Sequence, residues 1–185
     1  MIIKEFEYKL KDGRVATVRS PREKDVPAML EYLYITAAET DFLLRYPEDC
    51  VEYTPESEKA VFDRINNSES EAMFACFLDG RVIATANVMW RTRIKTRHRA
   101  YVAITVIKEF WGQGLGTRLM TEMTELAKAN ENIMQIELEY IEGNERARAL
   151  YEKLGFKTYA EKPNAIRLKD GTLLKEYSMM LEIKR

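Results

Sequence analysis

From Tyr101 to Thr117 the chain passes through an almost unbroken apolar stretch, then three glycines at alternate positions, Gly112, Gly114 and Gly116, and at once into a helical period. Tyr101–Ile107 is interrupted only by Thr105, the pattern of a central strand buried on both faces. Leu115, Leu119, Met123, Leu126 and Ala127 then share one stripe of an amphipathic helix. A strand, a glycine-rich turn and a helix in direct succession crowd main-chain N–H groups around one point, and the helix N-terminus adds partial positive charge there. Such a place is preorganised for phosphate oxygens; the plainer reading is a turn that only lets helix and strand pack. No Gly-Lys-Ser/Thr follows as in a P-loop, and the G-x-G-x-G spacing differs from the dinucleotide G-x-G-x-x-G.

The flanking segments predict a mixed α/β (α+β) domain spanning residues 1–185. Ile2–Leu10 and Arg14–Arg19 flank an Asp-Gly turn at Asp12-Gly13, the local signal of a hairpin. Asp25 stands as the cap of a helix carrying Val26, Met29, Leu30 and Leu33 on one face. Thr54-Pro55 opens a second helix with Ala60, Val61, Phe62 and Ile65 turned inward, ending near Asn66-Asn67. Ala72–Leu78 and Arg81–Trp90, joined at Asp79-Gly80, form a meander with Tyr101–Ile107. Gln135–Tyr140 alternates as a half-buried strand with Glu137 and Glu139 on its polar side. Asn144 caps a short helix with Ala147, Leu150, Tyr151 and Leu154 facing in and Gly155 as its C′ residue. Ala165–Leu168 and Leu173–Ile183 close the chain as a late hairpin.

Composition excludes several classes. Among 185 residues there are one histidine, His98, and two distant cysteines, Cys50 and Cys76, too few ligands for zinc fingers, iron–sulfur clusters or histidine-rich sites, so no metal is expected. A chain of this length can bury about 70% of its unfolded surface and needs no staples. Charges at Lys4, Glu5 and Glu7 interrupt any apolar leader, and the longest apolar runs fall far short of a membrane span. The expected compartment is the reducing cytoplasm, with no membrane partner. The balance of 29 Lys+Arg against 30 Asp+Glu gives little general attraction to nucleic acid.

The segment Glu109-Phe110-Trp111-Gly112-Gln113-Gly114-Leu115-Gly116, followed about thirty residues on by Asn144-Glu145-Arg146-Ala147-Arg148-Ala149-Leu150-Tyr151-Glu152-Lys153-Leu154-Gly155-Phe156, resembles the paired signature of the GNAT family of acyl-CoA-dependent N-acetyltransferases. That signature is written [Q/R]-x-x-G-x-[G/A] and N-x-x-A-x-x-[L/F]-Y-x-x-x-G-F. Trp111 stands where the first motif usually carries Gln or Arg, a departure of small weight because main-chain amides build the cradle. The resemblance implies a mostly antiparallel sheet splayed where the cofactor enters, and acetyl-CoA (coenzyme A) as co-substrate. It implies that Ile104, Thr105 and Val106 offer main-chain hydrogen bonds to pantetheine, and that Trp111, Gly112, Gln113, Gly114, Leu115, Gly116 and Thr117 surround the pyrophosphate. Asn144 and Ala147 would lie along the thioester arm, with Tyr151 as the acid that protonates the departing thiolate. A phenol with a pKa near 10 can do so; otherwise Tyr151 is a core tyrosine on its helix's inward stripe.

Direct attack of a primary amine on the thioester follows, with a strand amide, Val106 N–H, bearing on the oxyanion. The general base is open: Tyr101–Ile107 holds no carboxylate, leaving Glu137 or Glu139 on the neighbouring strand, or His98 just before the central one. Carboxylates Glu39, Asp41, Glu48, Asp49, Glu52, Glu56 and Glu58 against Arg45 alone give the first helical region an acidic rim, suited to a small cationic acceptor that Tyr34 and Glu39 would help to hold. Rival readings are a protein acceptor, through an N-terminal or lysine amine, and a coenzyme A-binding regulatory module without turnover. Arg91, Arg93, Lys95, Arg97 and Arg99 read as a solvated hairpin tip, or as a contact for coenzyme phosphate or nucleic acid. A homodimer through the late hairpin is the family-level expectation.

Overall fold

The computed structural model describes residues 1–183. Eight strands form one sheet in the order β1-β2-β3-β4-β5-β6-β8-β7. The first hairpin is β1 (Phe6–Lys9) and β2 (Val15–Arg19). The helices α1 (Val26–Glu39) and α2 (Pro55–Asn66) follow, then the antiparallel meander β3 (Glu71–Leu78), β4 (Arg81–Trp90) and β5 (Arg99–Val106). From β5 the chain enters α3 (Leu115–Lys128), β6 (Gln135–Ile141), α4 (Glu145–Lys153), β7 (Lys157–Arg167) and β8 (Leu173–Glu182). This is the mixed α/β order expected from the residue pattern, with the mostly antiparallel sheet that the resemblance implies.

Local chemistry explains most boundaries. Thr54 and Ser57 form a reciprocal capping box, each side-chain oxygen accepting from the other residue's main-chain N–H, and Pro55 occupies the first helical position. Asn144 Oδ1 accepts from Ala147 N–H at 3.2 Å to start α4, and Gly155, at φ +90°, ends it. Against expectation, Asp25 sits at the head of α1 without capping it. Its carboxylate is drawn instead to Arg19, at 2.6 and 2.8 Å, and to the Arg22 N–H, because a bidentate guanidinium outcompetes a lone amide. Ala60 faces solvent and Glu58 takes its place among the buried residues of α2. The last hairpin is longer than its apolar pattern, since β7 is an edge strand whose side chains are mostly exposed.

Leu119, Met120 and Met123 of α3 are fully buried, and α3 packs on β4 and β5. The feature that makes a site is a break in the ladder. β5 and β6 run parallel and pair only through Arg99–Tyr101 and Gln135–Glu137. Beyond that point β5 stays with β4 as far as Val106, while β6 stays with β8 as far as Ile141. The two central strands therefore diverge, leaving a V whose vertex lies at Tyr101 and Glu137. No helix among the described residues is long and apolar enough to cross a membrane.

Candidate active site

A cavity of about 1030 Å³ fills the V. Its walls are β5 from Tyr101 to Val106, β6 from Glu137 to Ile141, the turn into α3, the first turns of α4, and Thr40 and Phe42–Leu44 from the segment after α1. Ile104, Thr105, Val106, Trp111, Gly112, Gly114, Leu115, Gly116, Thr117, Asn144, Ala147 and Tyr151 all line it. Gln113 does not; it is tied backward to the first hairpin, its carbonyl accepting from Tyr8 Oη at 3.3 Å and its Oε1 from the Asp12 N–H at 3.3 Å.

The turn into α3 has the geometry of an anion cradle. Gly112 (φ +79°) and Gly114 (φ +87°) take left-handed backbone that turns main-chain amides toward one point. A Cβ on Gly114 would stand 2.4 Å from Tyr8 Oη, the end of a side chain packed on the loop from the first hairpin, and the left-handed φ itself favours glycine. The first N–H groups of the 14-residue α3 have no acceptor within their own helix. Lys11, Arg118, Arg146 and Lys153 add positive charge to the cavity wall. A pyrophosphate and its diester arm fit this donor set. Trp111 acts through the strand as well: its Nε1–H donates to the Val106 carbonyl at 2.8 Å, and the Arg146 guanidinium stacks 4.7 Å over its ring. The Thr105 carbonyl accepts from Tyr32 Oη at 2.9 Å. Two β5 carbonyls are thus engaged already.

At the inner end of the cavity Tyr151 is 6% exposed, packed obliquely against Tyr140 and Phe156. Burial pushes its phenol up to about 12, so it is protonated throughout the neutral range. Its hydroxyl makes no hydrogen bond within the described residues. Glu137 and Glu139 part company. Glu137 is 4% exposed, not on a polar face as the alternation predicted. Burial by itself would raise its carboxyl, but hydrogen bonds from Arg99, both at 2.6 Å, and from Gln135, at 2.5 Å, outweigh it and hold the group below the usual carboxylate range. A carboxylate so occupied is a structural anchor and a weak base. Glu139 is exposed to the cavity and has no such partner; partial desolvation first, then Glu176, raise its carboxyl against the pull of Lys162, and both glutamates line the cavity.

Three other candidates fall outside. His98 lies in the turn before β5, where its carbonyl accepts from the Met134 and Gln135 amides, and does not line the cavity. Tyr34 is 55% exposed on the outer side of α1; Tyr32, two positions away, turns inward instead. Glu39 does not line the cavity, and its carboxylate accepts from Lys108 N–H at 2.8 Å, capping the turn after β5. The acidic rim is largely spent on the fold: Glu48 pairs with Lys169, Asp49 holds the Tyr46 N–H, and Glu58 is buried. Within the cavity wall, Glu139 and Glu176 bring negative charge from β6 and β8, which pair antiparallel. Periodicity showed Glu139 but gave no sign of Glu176, Tyr101 or Tyr159, because no local pattern marks which side chains line a break between strands; Phe42, an aromatic beside the acidic stretch that could equally be core, does line the cavity.

The Arg99–Glu137 pair closes the vertex of the V. Arg99→Met is expected to cost about 2 kcal/mol at pH 7, since it strands a buried carboxylate. Because the Glu137 carboxyl is lowered in the folded state, its contribution is present above the unfolded glutamate pKa of about 4.3 and is lost as pH falls through the folded value. Urea unfolding of both proteins at pH 7 and near pH 3 checks this: the gap narrows in acid.

An open V beside a glycine cradle and a buried phenol is the architecture of an acyl-CoA-using transferase. The model of the acetyltransferase (GNAT) family matches residues 36–156, and the chain belongs to that family. It is an acyltransferase that takes its acetyl group from acetyl-CoA. A crystal structure of a GNAT-family acetyltransferase from Streptococcus pneumoniae superposes with TM-score 0.83 at 25% identity, covering 91% of this chain and 99% of that one. A GNAT-superfamily phosphinothricin acetyltransferase from Sinorhizobium meliloti, solved in complex with acetyl-CoA, shares the fold at TM-score 0.76 and 19% identity, over 91% of this chain and 88% of that one. N-alpha-acetyltransferase 30 of Schizosaccharomyces pombe is 38% identical over 65 residues, 35% of this chain and 43% of that protein, so the match spans less than half of its length.

Proposed function

We propose that the chain acetylates a primary amine by direct transfer, with Glu139 as general base and Tyr151 as general acid. One observation carries this: an unpartnered carboxylate with a raised pKa and a buried, protonated phenol line the same cavity. The amide cradle from Gly112 to Thr117 and the open β5 edge hold the cofactor. Acetyl-CoA supplies an acyl group activated on sulfur. Glu139, directly or through one water, takes the proton that the amine must lose as its nitrogen bonds to the acyl carbon. The Val106 amide bears on the carbonyl oxygen, and Tyr151 gives its proton to sulfur as the carbon–sulfur bond breaks.

For the acceptor we favour the α-amine of a polypeptide. The local similarity to an N-alpha-acetyltransferase supports this. The small cationic amine loses the support of the acidic rim, whose carboxylates are largely engaged in the fold.

Glu139→Gln tests the base. The kcat/KM of the wild type should rise with pH through the raised Glu139 pKa, and the variant should lose that limb and about 100-fold in rate near neutrality. An unchanged profile would place the base elsewhere.

A further inference from the structure

The turn between β4 and β5 carries Arg91, Arg93, Lys95 and Arg97, all exposed, with Ile94 at its apex 81% exposed. Several other surface arginines find carboxylates: Arg14 with Asp12, Arg22 with Glu5, Arg118 with Glu122, Arg148 with Glu152. No ion pair among the described residues involves the four cations of the turn. In a chain with 30 acidic residues and a net charge of −1 the segment still gathers four cations within seven residues, and their mutual repulsion opposes folding.

Its position gives the turn a use. Arg91 lies 5.1 Å over the ring of Tyr101, and Arg99, which closes the turn, lies 5.3 Å over the same ring while pairing with Glu137. Tyr101 and Glu137 line the cavity and mark the vertex of the V. This is the end far from the glycine cradle, about 17 Å along β5 from Val106 at about 3.3 Å per residue. The basic turn thus stands just outside the closed vertex, next to the end of the cavity that Glu137 and Glu139 line.

We propose that the turn docks an acidic stretch of a polypeptide acceptor, whose amine enters the cavity toward Glu139 and Tyr151. This rests on the polypeptide reading given above and narrows it. The two charge zones sort the acceptor: carboxylates at Glu139 and Glu176 face the ammonium, and the cations of the turn face anionic side chains further along. A hairpin tip of this length reaches about four residues past Tyr101, so the acidic residues fall about three to six positions beyond the reacting amine. Nucleic acid is the weaker occupant, because four cations against a net negative protein offer few phosphate contacts and because the patch is rooted at the cavity.

The test uses the full chain saturated with coenzyme A. Three labelled peptides of equal length, each with a free α-amine, differ only at positions four to six: Glu-Asp-Glu, Gln-Asn-Gln or Lys-Lys-Lys. Binding is read by fluorescence anisotropy, and transfer by kcat/KM in a separate assay with acetyl-CoA in place of coenzyme A. The acidic peptide should bind about 10-fold more tightly than the neutral one at low salt, with most of the advantage gone at high salt. The triple variant Arg93→Glu, Lys95→Glu, Arg97→Glu should abolish the preference, coenzyme A titration and thermal midpoint serving as folding controls. Equal binding of acidic and neutral peptides, a preference that survives the variant, or an RNA oligomer binding more tightly than the acidic peptide would each overturn the proposal. Acidic-peptide binding through the turn without acetylation of any peptide would support the docking surface and overturn the acceptor reading beneath it. Equal acetylation of all three would do the reverse.

Discussion

Gly114→Val should weaken coenzyme A binding by at least about 100-fold. Two independent facts converge on this residue. Its φ of +87° lies in the left-handed region, which costs a side-chain-bearing residue roughly 1–2 kcal/mol, and more for a β-branched one. A Cβ there would also meet Tyr8 Oη at 2.4 Å, so the Tyr8 side chain must swing away and give up its hydrogen bond to the Gln113 carbonyl, or the loop must move. Relaxing the left-handed backbone takes main-chain amides off the pyrophosphate. Losing two charge-assisted hydrogen bonds, each contributing about 1.5–3 kcal/mol, gives the expected drop. Gly112→Ala is the milder companion, because only its φ of +79° is strained and nothing lies within 4 Å of the added carbon. Calorimetric titration of both variants, with thermal melts to separate binding from folding, checks the assignment. Unchanged affinity in Gly114→Val would reduce the turn to packing.

Tyr151→Phe should lower kcat by about 100-fold while leaving coenzyme A affinity within about twofold. The substitution keeps the ring between Tyr140 and Phe156 and removes only the hydroxyl, which no described residue needs as a partner. The loss therefore falls on the step in which a thiolate departs unprotonated. Burial holds the phenol near 12, so the wild type should show no loss of active acid below about pH 10. Full activity in Tyr151→Phe would leave the residue as a core tyrosine.

Much of the fold was legible because local chemistry and tertiary structure agree. The capping box at Thr54, the cap at Asn144, the glycine at 155 and the Asp-Gly turns each act over a few residues, and each sits where its pattern put it. The cradle was legible for the same reason, since alternating glycines after a buried strand and before a helix encode their own geometry. What escaped the sequence depends on long-range partners. Asp25 had the type and place of a cap but met Arg19 across the chain. Glu137 alternated as a solvent-facing residue, yet Arg99 from the adjacent strand allowed its burial. Tyr34 and Tyr32 are equivalent in composition, and only packing decides which one reaches the sheet. The acidic rim thinned because Glu39 answers the Lys108 N–H and Glu48 answers Lys169, both far away in sequence, while Asp49 caps the nearby Tyr46 N–H and Glu58 is buried. The acceptor end, framed by Tyr101, Glu139, Tyr159 and Glu176, draws on four strands joined by no local pattern.

Thiol release from acetyl-CoA tests the central claim most directly. The full chain would be offered free-amine peptides, polyamines, amino acids and aminoglycosides, alongside a calorimetric titration with coenzyme A. Direct transfer predicts that coenzyme A binds and that an amine accelerates thiol release, peptide α-amines most. Tight coenzyme A binding with no acceleration by any amine would contradict catalysis and leave a cofactor-binding module; absence of binding would contradict the cradle itself.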